Sequence, residues 1–221
     1  MALKFPWKTL TAGAATLVTA DLVLRPWFLR WGATKDEAQK TLPGDALCPE
    51  AASVATRAIT IQAPVEEVWP WIAQIGQDRG GFYSYTWLEN LVGARMRNAS
   101  RILPKLPALT VGDSIWMTPK SRYGGKGRVK IAMIEPEKYL VLVALDDFEV
   151  ITRGEPAREG TWSFILEPVD DHTTRLLIRS RSGRTARLDR FLFFDPIHFI
   201  MERKMMLGIR QRAEKRIKAA A

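Results

Sequence analysis

The stretch from Ala58 to Gly76 constrains the fold most. In it Ala58-Ile-Thr-Ile-Gln-Ala-Pro64 alternates in the manner of a half-buried strand and runs directly into Val65-Glu-Glu-Val-Trp-Pro-Trp-Ile-Ala-Gln-Ile-Gly76. Proline suits the opening of a helix, where a missing N–H costs little. Val65, Val68, Trp69, Ile72 and Ile75 then recur at helical spacing, and Pro70 removes one hydrogen bond inside the helix. An aromatic cluster, Phe82, Tyr83, Tyr85 and Trp87, follows the Gly80-Gly81 break. A strand that feeds a helix and then aromatics implies a sheet packed on a helix, with an aromatic-lined cavity between them.

Downstream, Thr86-Trp-Leu-Glu89 fits a capping box for a second short helix ending at Gly93. Strand patterns follow at Ser114 to Thr118, Gly127 to Glu135, Tyr139 to Leu145, Gly160 to Glu167 and Thr174 to Arg181, separated by Gly, Pro and Asp turns. No helical pattern intervenes, so pairing is antiparallel. Asp195-Pro196 opens a last helix reaching about Lys218, with Met201, Met205, Ile209 and Ala213 along one stripe. The fold class is α+β: a helix-grip, with a curved antiparallel sheet of about six or seven strands around a long C-terminal helix and two short helices after the first strand. The domain reading is an N-terminal arm or membrane anchor over 1–33, a polar linker over 34–55, and a ligand-binding domain over 56–221.

Composition narrows the chemistry. A single cysteine, Cys48, and two histidines, His172 and His198, disfavour a disulfide, a thiolate cluster or a protein-ligated metal. No phosphate-binding glycine loop is present either, so no cofactor is expected. The 33 Lys and Arg against 24 acids give a net charge of +9, which favours anionic surfaces or serves solubility. The apolar run Thr9 to Leu24 contains Asp21 and is followed by Arg25-Pro-Trp-Phe-Leu-Arg-Trp-Gly32. It falls short of the about 20 apolar residues of a spanning helix. Three fates stay open: an interfacial helix or anchor, an arm on the domain, or a signal peptide. The expected location is cytoplasmic, with membrane association through this segment as the open question. Arg179, Arg181, Arg184, Arg187 and Arg190 crowd the approach to Phe191-Leu-Phe-Phe194, which reads as a lipid-facing patch or a gate over the cavity. Nucleic acid is disfavoured, because its protein surfaces lack such apolar runs.

Together these residues resemble a known superfamily. Ile61-Gln-Ala-Pro-Val-Glu-Glu-Val-Trp69 with the closing helix is similar to the START-like helix-grip (SRPBCC) superfamily. Trp69-Pro-Trp-Ile-Ala-Gln-Ile-Gly76, Gly81-Phe-Tyr-Ser-Tyr-Thr-Trp-Leu-Glu-Asn90, Val111-Gly-Asp113 and His198-Phe-Ile-Met-Glu-Arg-Lys-Met-Met-Leu-Gly208 resemble its bacterial branch labelled polyketide cyclase/dehydrase. The resemblance implies the fold; it implies no single activity, because the fold hosts carriers, hormone binders and cyclases.

The leading expectation is a monomer or weak homodimer that binds an apolar small molecule, lipid-like or polycyclic, between the sheet and the last helix. Ligand-binding candidates are Trp69, Tyr83, Tyr85, Trp87, Trp116, His198, Met201 and Met205, since indoles, phenols and thioethers line apolar pockets well. The balance leans away from catalysis. His198 and Glu202, four residues apart on one face, are the candidates for an acid/base enzyme acting on a carbonyl compound, with Tyr83 or Tyr85 stabilising an enolate oxygen. The simpler account of the pair is a structural anchor in which Glu202 meets an arginine from the sheet. Glu89 is assigned to its capping box, and Asp113 to a turn. A third alternative is a basic module that binds a membrane or nucleic acid without any ligand.

Overall fold

The computed structural model describes residues 23–183 and 195–220. The apolar run before residue 23, with Asp21, and the segment holding Arg184, Arg187, Arg190 and Phe191 to Phe194 lie outside the described residues. A helix, α1, covers 23–29. Then come α2 (Lys35–Gln39), β1 (Ser53–Ile61), α3 (Val65–Ala73), α4 (Thr86–Leu91), β2 (Ser114–Trp116), β3 (Arg128–Glu135) and β4 (Tyr139–Ala144). Then α5 (Leu145–Ile151), β5 (Gly160–Asp170), β6 (Thr173–Ser182) and α6 (Asp195–Ala220) complete the order. The six strands form one open antiparallel sheet in the order β1-β6-β5-β4-β3-β2, and α6 packs with α3 over one face. This is the α+β helix-grip arrangement expected. The strand readings hold within a few residues. Pro64 lies one position outside α3, as its N-cap, and Pro70 lies within it.

Register assigns the faces. Arg57, Ile178 and Phe164 pair across β1, β6 and β5, and Ile59 with Leu176 and Leu166 continues the same face toward α6. These join Ile72, Ile75, Leu140, Met206 and Ile209 in the main core. The alternate residues Ala58, Leu177 and Ile165 point to the opposite face and meet Leu42. Both faces of β1, β6 and β5 are therefore covered, which explains why β1 and β6 read as nearly continuous buried runs.

That second cover corrects the linker reading of 34–55. Thr34 caps α2 in a true capping box with Glu37. Arg175 bonds Glu37, while Arg179 donates to the carbonyls of Glu37, Ala38 and Lys40 and to Asp45 at 2.6 Å. Arg181 donates to the carbonyls of Cys48 and Pro49. Arg179 and Arg181 thus clamp this segment to the sheet instead of forming a lipid-facing basic patch. The chain reaches that face through Gly32 (φ 72), whose added Cβ would lie 2.1 Å from the Ala58 carbonyl oxygen. Only glycine tolerates both that backbone and that approach.

Two further differences matter near the site. The strand pattern expected to reach Leu145 ends at Ala144, and α5 begins there. Its buried Asp147 accepts the backbone N–H groups of Arg158, Glu159 and Gly160, fixing the entry into β5. The Arg25 to Gly32 belt docks on the domain: Trp27, Phe28 and Trp31 surround Phe199 of α6, and Arg25 pairs with Asp195 at 2.8 Å. Among the described residues, no helix is long and apolar enough to cross a membrane.

Candidate functional site

A cavity of about 700 Å³ lies between the inner sheet face, α4 with the chain after it, and the first turns of α6. Its back wall is a cross-strand row, Ala55, Ser180, Trp162 and Leu142, each paired with the next. A neighbouring row, Ser53, Ser182 and Gly160, carries only small side chains, and that leaves room beside the helix. Met96, Met117, Met201 and Met205 supply flexible apolar surface from three directions. Leu91, Val92, Met117 and Ile197 line the cavity yet are exposed, so they mark its mouth.

The polar part of the wall is a pre-assembled cluster. Arg57 Nη1 donates to Glu202 Oε1 at 2.5 Å, and both side chains are 1% exposed. Arg57 Nε donates to the Phe28 carbonyl at 2.8 Å, and its guanidinium lies 5.2 Å from the Phe199 ring centre. The other Glu202 oxygen accepts the Trp162 indole N–H at 2.8 Å. Trp162 is in turn stacked on Phe82 and packed against Phe164 and His198. A carboxylate on the apolar stripe of α6 thus takes a charged partner from β1 and a neutral donor from β5. Unpaired burial would be far more costly. His198 Nε2 is 3.6 Å from Glu202 Oε2, too long for a hydrogen bond to that oxygen.

His198, Met201, Glu202 and Met205 all line the cavity, where one helix face brings them together. The aromatic candidates do not. Tyr83 adopts a positive φ of 57°, and its ring packs edge-on against Trp71 in the core. There its hydroxyl donates to the Trp71 carbonyl and accepts from Gln74, and burial pushes the phenol above its ordinary range. Tyr85 lies beside Lys204, and Trp87 is 64% exposed on α4. Trp116 is flanked by Arg128 and Lys120. Trp69 borders a separate hollow of about 210 Å³ between α3 and the 102–109 chain. The tyrosines wanted for enolate stabilisation therefore do not line the cavity that holds His198.

Arg57, Trp162 and Glu89 also line the cavity, although none is among the ligand-binding candidates above. In the sequence Arg57 is one position of an alternating strand, and its phase with Ile59 and Ile61 is the signal that it points inward. Trp162 stands two residues before Phe164 on one strand face, which again points inward. The capping box expected for Thr86 and Glu89 does not form. The N-cap is Tyr85 and Thr86 is already helical, so no side-chain capping bond forms. Glu89 instead lines the cavity. Its Oε2 is buried without a hydrogen-bond partner, and burial pushes the carboxyl up to about 7. With the folded value above the ordinary 4.5, this group favours the fold most below pH 4.5, and the benefit is lost as pH rises through about 7.

No protein-family model matches the chain, and no curated protein matches it. Solved structures are similar at low identity. A Mesorhizobium loti protein is 16% identical, with 74% of this chain and 98% of that chain covered and a TM-score of 0.40. A Nitrosomonas europaea protein is 13% identical over 79% and 99%, with a TM-score of 0.43. A Polyketide_cyc-like protein of Corynebacterium glutamicum is 14% identical over 76% and 92%, with a TM-score of 0.36. No activity or ligand comes to this chain from these similarities; its chemistry has to be read from the cavity itself.

Proposed function

We propose that the protein binds one apolar small molecule, lipid-like or polycyclic, in the cavity between the sheet and α6. The cavity of about 700 Å³ carries this reading. Its size falls within the roughly 300–1,000 Å³ typical of small-molecule sites, and apolar walls with a few fixed polar groups are their usual make-up. Four methionines let the wall adapt to an irregular shape. Glu202 is already engaged by Arg57 and Trp162, which suits a fixed anchor better than a base awaiting a substrate. The exposed apolar rim of Leu91, Val92, Met117 and Ile197, on a chain of net charge +9, suits ligand exchange at an anionic membrane surface.

Native mass spectrometry of the purified full chain tests the binding reading. The expected spectrum shows one equivalent of an apolar passenger, or one equivalent taken up from a panel of fatty acids, alcohols, amines and polycyclic compounds. A protein that arrives bare and takes up none of the panel overturns the proposal.

A further inference from the structure

We propose that the ligand is a lipophilic amine, its apolar body lodged in the cavity and its protonated nitrogen held by Glu89. This rests on the ligand-binding reading above and adds the class of the polar group. Among the described residues, the charged side chains lining the cavity are Arg57 on β1, Glu159 ahead of β5, Arg181 on β6, and Asp195, His198 and Glu202 on α6 beside Glu89 on α4. Arg57 is committed to Glu202, and Asp195 to Arg25. Arg181 is committed to the Cys48 and Pro49 carbonyls. Glu159 is exposed. Among the described residues no cation is paired with Glu89, whose Oε2 is buried with no hydrogen-bond partner.

A buried carboxyl without a partner favours its neutral form, and an ammonium placed against it reverses that preference. Burial raises this carboxyl and no charged neighbour among the described residues offsets it, so a ligand that brings its own positive charge finds an unpartnered acceptor there. The placement fits an amphiphile. Glu89 shares α4 with the rim residue Leu91, which Val92 follows as the C-cap, while Met201 and Met205 offer apolar surface on the α6 side. A nitrogen at the α4 end leaves the tail facing methionine and the Ala55–Leu142 row.

The test is calorimetric titration of the full chain with decylamine, decanol and decanoate, each at pH 6 and pH 8. The amine is expected to bind at least tenfold tighter than the alcohol at pH 8, with decanoate weakest. A carboxyl titrating at about 7 must be ionised to hold the amine, so amine affinity should fall about tenfold from pH 8 to pH 6 while the alcohol stays flat. In Glu89→Gln the amine-to-alcohol ratio should approach one, and the pH dependence should vanish. Retention of either in that variant would assign the effect to another group, such as His198, and overturn the proposal. So would equal affinity of wild type for amine and alcohol, a result that needs no variant. Binding of decanol without amine preference leaves the cavity reading standing and removes only this one; binding of none of the three removes both.

Discussion

Glu202→Ala is expected to lower stability by about 3–5 kcal/mol in urea denaturation, the usual cost of breaking a buried charge pair. The substitution leaves the Arg57 guanidinium, 1% exposed, without its carboxylate, and the Trp162 indole N–H without an acceptor. Glu202→Gln retains an acceptor for one of these donors and should fall between wild type and alanine. Replacing both partners, as in Arg57→Met with Glu202→Leu, should recover much of the loss, because no unpaired charge then remains buried. Alanine costing under about 1 kcal/mol would mean that the cluster is not the anchor its geometry describes.

Arg179→Met is expected to be the second severe substitution, at about 3 kcal/mol, because it removes several charge-assisted hydrogen bonds at once. Its guanidinium, 2% exposed, ties β6 to the carbonyls of Glu37, Ala38 and Lys40, to Asp45 and to Thr56. Without it, Asp45 loses its closest cation and the 35–49 segment loses its main attachment to the sheet. Limited proteolysis should then cut within 35–49 under conditions that leave the wild type intact there. Equal resistance of the two proteins would show that Leu42 packing alone holds the segment.

Much of the fold is legible in local patterns. Period-two alternation locates the strands, and the Ala-Pro junction marks the start of α3, because these signals depend on a few neighbouring residues. The contents of the cavity depend on non-local facts. One residue of shift in the start of α4 turns Glu89 from a cap into a cavity carboxyl. One positive φ turns Tyr83 into the core. The role of Arg179 follows only from where 35–49 lies in space, which no periodicity encodes. The His198-Met201-Glu202-Met205 face was legible because four residues on one helix face stay together whatever the tertiary arrangement. The aromatic cluster after Gly81 carried no such guarantee, since a loop can aim successive rings in different directions.

Methionine methyl NMR of the full chain, titrated with decanol, tests the central claim most directly. Of the seven methionines, Met96, Met117, Met201 and Met205 line the cavity, whereas Met133 and Met206 do not. A ligand in the cavity predicts saturable shifts at the four lining methyls at one equivalent, with Met133 and Met206 little changed. Absence of any saturable shift, or shifts confined to Met133 and Met206, would contradict a binding cavity between the sheet and α6.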